Sequence, residues 1–139
     1  MSASTSSTEV VVERLVEATN RHDLEGLTAC FAAEFVNETP LHPARSFRGS
    51  DQVRRNWERI FAAVPDLEAV PVRKAVAGDT AWIEWEMRGT TILGSPHLLR
   101  GVTVFGVDED RFSWVRFYLE PVDEDGADVT EAVRRQLAR

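Results

Sequence analysis

The sequence predicts an α+β fold in which three N-terminal helices cover one face of a cone-shaped, curved antiparallel sheet. Apolar residues recur at helical spacing up to Ala63, whereas the segment from Leu67 to Pro121 alternates with a period of two. Short turn signals such as Gly78-Asp79 separate the alternating runs. Consecutive hairpins form an antiparallel meander, and helices packed on a curved sheet leave a cavity.

The first helix is predicted over Glu9 to Arg21, where the apolar side chains fall on one face. Asp23 is placed to cap a short second helix. Residues 1–8 are rich in serine and threonine, and they predict a disordered tail ahead of a domain that covers residues 9–122.

A short strand is expected over Phe35 to Glu38, before two prolines interrupt regular structure at positions 40 and 43. Ser50 is the expected cap of a third helix over Asp51 to Ala63, and Pro65 marks its end.

Four longer strands follow, and residues 123–139 are expected to form an acidic loop and a short terminal helix. The predicted strands cover residues 67–76, 80–91, 98–107 and 111–121, and the helix covers residues 130–138.

Composition narrows the possible functions. The chain has 139 residues, enough for one domain, and its net charge of -7 argues against a nucleic-acid surface. The single cysteine, Cys30, permits no intrachain disulfide and fits a cytoplasmic protein. No apolar run is long enough to cross a membrane. Paired cysteines and metal-ligand spacings are missing, so we expect neither a metal nor another cofactor. Nearly all basic residues are arginine, which favours a bacterial source.

The last predicted strand, residues 111–121, carries an unusual polar row. Trp114, Arg116, Tyr118 and Glu120 share one face, and the other face is apolar. Two buriable faces place this strand inside the sheet, and a carboxylate held there needs partners. We therefore expect the row to face the cavity and to mark a chemical site.

Several motifs carry a family resemblance over Glu9 to Val122. They are the link NRHDLEGL at residues 20–27, Gly49 followed by DQVR, Gly89-Thr90, Arg100-Gly101-Val102, and RFYLE at residues 116–120. In these motifs and in element order, the chain resembles the nuclear-transport-factor-2-like superfamily. That superfamily includes SnoaL-like polyketide cyclases, ketosteroid isomerases and limonene-epoxide-hydrolase-like enzymes. The resemblance implies the cone fold, which hosts many chemistries.

The resemblance also implies site positions. The positions of the ketosteroid isomerase tyrosine and two aspartates hold Leu15, Thr39 and about Thr103, so that constellation is absent. Phe35 and Asn37 before the two prolines look like the Tyr and Asn of the epoxide hydrolases, with Phe replacing Tyr.

Tyr118 and Glu120 occupy the places of the epoxide hydrolases' last tyrosine and catalytic aspartate, whereas their Arg-x-Asp pair has no clean equivalent. SnoaL-like cyclases rely on a carboxylate and a histidine, for which Glu120 and His42 are the candidates.

Glu120 is the leading catalytic candidate, because a partly desolvated carboxylate can act as acid or base near neutrality. Arg116 and Tyr118 would position it or stabilise an oxyanion, and Asn37 and His42 would orient water or substrate. The alternative is a structural ion pair between Arg116 and Glu120 at the end of the sheet.

A second set of residues offers material for a ligand site. The aromatic members could form an apolar cavity wall or simply core. Glu84 and Glu86 could divide acid and base roles, or they could lie on an outer sheet face beside Arg88. The candidate ligand-binding residues are Trp57, Phe61, Trp82, Glu84, Glu86 and Trp114.

These features favour a cofactor-free acid/base enzyme that acts on a small apolar, oxygenated metabolite by epoxide hydrolysis, cyclisation or isomerisation. The alternative is a non-catalytic module that binds a small ligand or a protein. We expect a homodimer, because the convex sheet face would otherwise expose Trp82 or Trp85.

Overall fold

Four helices and six strands make up residues 6–138, the part of the chain that this computed structural model describes. The helices are α1 (Ser7–Asn20), α2 (Leu24–Ala29), α3 (Ser50–Ala63) and α4 (Val129–Leu137). The strands are β1 (Phe31–Glu38), β2 (Phe47–Arg48), β3 (Glu68–Ala77), β4 (Thr80–Thr90), β5 (Pro96–Asp108) and β6 (Arg111–Pro121). The predicted α+β class is confirmed.

The strands form one curved, unclosed sheet in the order β2-β1-β6-β5-β4-β3. The predicted antiparallel meander is confirmed for β3 to β6. β1, however, pairs in parallel with β6, and Glu38 lies opposite Arg116. This pairing carries the loop after β1 towards the end of β6, so the two prolines and Glu120 reach the same end of the sheet.

The segment that joins α1 to α2, residues 20–23, anchors the two helices to the start of β3. The side-chain amide of Asn20 donates to the Ala69 carbonyl at 3.0 Å and accepts from the Ala69 N–H at 2.7 Å. His22 stacks on Phe61 of α3, and its Nε2 lies 2.9 Å from the Leu67 carbonyl oxygen. Asp23 caps α2 by accepting from the Gly26 N–H, as predicted. The helix link seen in the sequence is therefore structural.

Several element boundaries differ from the sequence prediction. The first strand begins at Phe31 and not at Phe35, β5 extends over residues 96–108 and not 98–107, and the short β2 was not predicted. α1 begins at Ser7, and the Thr8 hydroxyl donates to the Gly78 carbonyl at 2.8 Å, so Ser7 and Thr8 belong to the helix and not to a tail. Residues 1–5 lie outside the described part. The cap of α3 is Gly49 (φ +95°) and not Ser50, because the chain must turn sharply after Gly49 donates to the Phe35 carbonyl.

The core lies between the helices and the inner face of the sheet. α1 contributes Val11, Val12 and Leu15, and the sheet contributes large apolar side chains that include Ile83 and Phe112. Cys30 is buried in the same core, and burial raises the pKa of its thiol to about 11. Cys30 is thus a packed apolar residue, not a nucleophile.

Candidate active site in the cavity of the cone

A cavity of about 290 Å³ lies between the helices and the concave face of the sheet. Most of its wall is apolar, and the side chains that line it include Phe35, Trp57, Trp85, Leu99, Phe117 and Leu119. The volume is roughly twice that of the ~150 Å³ cavity known to hold one benzene. A molecule of about two fused rings therefore fits.

Four buried polar side chains interrupt this apolar wall: Thr19, Asn37, Thr39 and Thr103. The Thr19 hydroxyl donates to the Leu15 carbonyl of its own helix at 2.7 Å. The Asn37 side-chain amide donates to the Thr39 hydroxyl at 3.0 Å. The Thr103 hydroxyl accepts from the Trp85 indole N–H at 2.7 Å. All four side chains are neutral, so the inner part of the cavity offers hydrogen bonds without charge.

Ionisable side chains gather at the rim. Glu120, Arg45 and His97 line the cavity there. Nε2 of His42 contacts Oε1 of Glu120, and Nη1 of Arg45 lies 3.6 Å from Oε2 of the same carboxylate. Glu120 keeps about one third of its side-chain surface exposed, so it is reachable both from the cavity and from solvent.

The loop between β1 and β2 places His42 and Arg45 by folding back on itself. The Thr39 N–H donates to the Ser46 hydroxyl, and the His42 N–H donates to the Thr39 carbonyl. A single 3-10 turn over Pro43–Arg45 follows. Proline suits the first position of such a turn, because its ring fixes φ near the value that the turn requires, and Pro43 occupies that position.

The polar row of β6 does not face the cavity as expected, and the prediction is wrong for Trp114, Arg116 and Tyr118. The alternate residues of the strand, Val115, Phe117 and Leu119, line the cavity instead. The larger apolar set takes the inner face because its burial stabilises the core. Only Glu120, next to the end of the strand, reaches the rim.

Arg116 pairs with β1 on the convex face. Its Nη1 donates to Oε2 of Glu38 at 2.7 Å, and its side chain is about half exposed. The pKa of the Arg116 guanidinium is raised above its usual value, mainly by the neighbouring Tyr118 phenol and to a smaller extent by Glu38. The Arg116–Glu120 ion pair considered from the sequence does not form, because Glu120 is held by the loop.

Trp82, Glu84 and Glu86 lie on the convex face as well, outside the cavity. Glu86 accepts from Arg100 at 3.0 Å and from Arg88 at 2.8 Å, and these bonds lower the pKa of its carboxyl. The outer-face interpretation of the two carboxylates is therefore correct, and the ligand-binding assignment of these three residues is wrong.

The two helix aromatics behave differently. Trp57 lines the cavity, whereas Phe61 packs between Trp57 and His22 without lining it. Trp85, Thr103 and Arg45 also line the cavity, and none of the three was predicted from the sequence as a ligand-binding residue. Trp85 stands on the apolar side of an alternating strand, which is the signal that could have identified it.

A family model described as a SnoaL-like domain matches residues 12–116, which is most of the chain. The chain belongs to the SnoaL-like family. No curated protein matches the chain.

Three solved structures illustrate the likeness. An LEH-like epoxide hydrolase from M. tuberculosis has a TM-score of 0.70 at 20% identity, over 95% of this chain and 92% of that one. An NTF2-like protein of unknown function from Burkholderia pseudomallei has a TM-score of 0.69 at 20% identity, over 94% and 97%.

The third is a hypothetical protein with a ketosteroid isomerase-like fold from Catenulispora acidiphila, determined with trimethylamine. It has a TM-score of 0.66 at 17% identity, over 78% of this chain and 84% of that one. At these identities the likeness shows the fold alone.

Within residues 6–138, no group of three or more His, Cys, Asp and Glu side chains is arranged to hold a metal ion. No helix in this part of the chain is long and apolar enough to span a membrane.

Proposed function

We propose that this SnoaL-like protein is an acid/base enzyme that acts on a small apolar, oxygenated molecule without a cofactor. The observation that carries the proposal is the position of Glu120, a carboxylate at the rim of an apolar cavity with His42 on one oxygen and Arg45 near the other. Side chains alone can perform such proton transfers.

Each rim residue has a distinct part in the proposed chemistry. Glu120 takes a proton from a carbon next to a carbonyl group, or from a water that opens an epoxide. His42 fixes the orientation of the carboxylate and, being partly exposed, passes the proton to solvent. Arg45 stabilises negative charge that develops on the substrate oxygen. Asn37, in the cavity wall, orients the substrate or the water.

The reaction class is one of epoxide hydrolysis, cyclisation or isomerisation, and two assays cover them. Diol formation from cyclohexene oxide and styrene oxide reports epoxide opening. Exchange of α-protons of cyclic ketones in deuterated water, followed by NMR, reports the proton abstraction shared by the other two classes.

The variant Glu120→Gln tests the proposal, because the amide keeps the shape of the side chain but cannot accept a proton. We expect turnover to fall by about 10²–10⁴-fold with an unchanged unfolding temperature. Glu13→Gln, an exposed carboxylate on α1, is the matched control and should retain full activity. Full activity in Glu120→Gln would reject the assignment.

A non-catalytic ligand-binding module is the second candidate. It is favoured by the neutral inner wall, in which Thr39 and Thr103 stand where ketosteroid isomerases are expected to carry carboxylates. Such a protein would bind the same ketones and epoxides with no turnover in either assay. The two assays therefore discriminate the candidates directly.

We also propose that the protein forms a homodimer through the convex face of the sheet. Trp82 on β4 is 53% exposed there, among charged side chains that could pair across an interface. Sedimentation equilibrium should give twice the chain mass, and Trp82→Glu should shift the equilibrium to monomer. A monomer mass for the unmodified protein at micromolar concentration would exclude the dimer.

A further inference from the structure

Trp85 and Thr103 form a hydrogen-bonded pair in the inner wall of the cavity. Both are almost completely buried, with 2% and 3% of their surfaces exposed. The indole Nε1 donates to the Thr103 Oγ1 at 2.7 Å, and both residues line the cavity. They stand on the neighbouring strands β4 and β5, so the sheet holds them rigidly.

The pair leaves one hydrogen-bond donor unused. A threonine hydroxyl has one hydrogen and two lone pairs, whereas an indole N–H can only donate. The indole occupies a lone pair of Thr103, and within residues 6–138 no acceptor bonds to the hydroxyl hydrogen. Because the indole fixes one side of the oxygen, the hydrogen must point elsewhere. A buried donor without a partner is unfavourable, so an acceptor brought by a ligand is stabilised there.

The charges around the cavity determine which kind of ligand atom would suit the Thr103 hydroxyl as an acceptor. The polar side chains that line the cavity away from the rim are all neutral, and the ionisable ones lie at the rim. The neutral ones are Thr19, Asn37, Thr39, Asn56 and Thr103. An anionic oxygen would lose its hydration at the inner end without meeting a cation. A carbonyl oxygen requires only the one donor that Thr103 offers.

The pair is also separated from the proposed proton-transfer group. Thr103 lies opposite Phe117, and Glu120 is three residues farther along β6, which is about 10 Å at 3.3 Å per residue. A contact at Thr103 therefore binds the substrate away from the reacting atoms, where binding free energy can hold it in place.

We propose that Thr103, oriented by Trp85, is a specificity-determining residue that binds a neutral ketone carbonyl at the inner end of the substrate. The substrate class is then an uncharged ketone of about two fused rings, whose reacting end lies towards Glu120. This inference rests on the proposed function for the reacting end only, since binding of the ketone requires no turnover.

The test compares 1-tetralone with tetralin, the hydrocarbon of the same skeleton, by calorimetric titration. Thr103→Val should weaken binding of the ketone about three- to tenfold and leave binding of the hydrocarbon unchanged. Thr103→Ser, which keeps the hydroxyl, should bind both as the unmodified protein does. An equal effect of Thr103→Val on both ligands, no effect on either, or no binding of the ketone by the unmodified protein would overturn the proposal.

Thr103→Val leaves the Trp85 N–H unpaired and so could unfold the chain. A second measurement therefore uses the unmodified protein and 1-tetralone labelled with ¹³C at the carbonyl. Its infrared stretch should move to lower wavenumber on binding, as a hydrogen-bonded carbonyl does. A bound stretch at the value found in alkane solvent would reject the contact.

Repeating the titrations in Glu120→Gln separates this inference from the proposed function. If ketone binding depends on Thr103 in both backgrounds and the unmodified protein shows no turnover in either assay, the inference stands and the enzyme proposal is removed. If turnover depends on Glu120 but ketone binding is insensitive to Thr103, the enzyme proposal stands and this inference is rejected.

Discussion

His42 and Glu120 meet at the mouth of the cavity, where Nε2 of the imidazole contacts Oε1 of the carboxylate. The contact joins the loop after the first strand to the end of the last strand. If the two side chains act as one unit, removing either should cost almost as much activity as removing both.

A double-mutant cycle tests this coupling. His42→Gln and Glu120→Gln should each reduce turnover by about 10²-fold or more, and the double variant should be little worse than Glu120→Gln alone. The measurement is kcat/KM on the epoxide or ketone that the unmodified protein turns over. Fully multiplicative losses would show that the histidine contributes independently of the carboxylate.

Arg116 and Tyr118 should be dispensable for catalysis, because they lie on the convex face. Arg116→Ala and Tyr118→Phe should change kcat/KM by no more than about twofold, as substitutions outside a site usually do. Arg45→Ala, at the rim, should lower it far more. A large loss in either convex-face variant would mean that the convex face takes part in the reaction.

Asn20 should matter for stability although its side chain is far from the rim. Asn20→Ala removes both hydrogen bonds to the Ala69 backbone, and we expect the free energy of unfolding to fall by about 1–3 kcal/mol in urea titrations. The neighbouring Arg21→Ala removes only an exposed pair with Glu17 and should change it by less than about 1 kcal/mol. Equal effects of the two variants would contradict the fastening role of Asn20.

Cys30 should make the protein less stable at alkaline pH. Burial raises the pKa of the thiol from 9.0 to about 11, so above pH 9 the unfolded chain loses the proton that the folded chain keeps. The unfolded state then binds fewer protons, and the free energy of unfolding falls with pH by at most about 1.4 kcal/mol per unit.

Comparison with Cys30→Ala isolates this contribution from those of other groups that titrate in the same range. Urea titrations between pH 8 and 10.5 should give a steeper decline for the unmodified protein than for the variant. Parallel declines would show that the thiol is not held protonated by the fold.

The sequence predicted the elements well because their signals are local. Asp23 caps its helix as expected, and residues 111–121 form a strand with the predicted bounds. The orientation of that strand was not predictable in the same way. Both of its faces are partly apolar, so the alternation alone does not say which face meets the helices. The answer depends on the opposing layer, which packs Val115, Phe117 and Leu119 inward.

The candidate site was partly predictable for a related reason. Glu120, His42 and Asn37 stood out as chemical groups, whereas their partners depend on contacts distant in the chain. Arg45 reaches Glu120 only because β1 pairs with β6, and Trp85 meets Thr103 only across two strands. Neither relationship leaves a periodic pattern in the sequence.

The parallel pairing of β1 with β6 affects the order in which the chain folds during synthesis. Local hairpins can form as soon as β3, β4 and β5 have been synthesised, but the pairing that completes the sheet must wait for the last strand. The two halves of the rim therefore stay apart until residue 120 has emerged. The protein would then become able to bind its ligand only in the final folding step. In a refolding experiment, the fluorescence of a bound ketone could report when that step occurs.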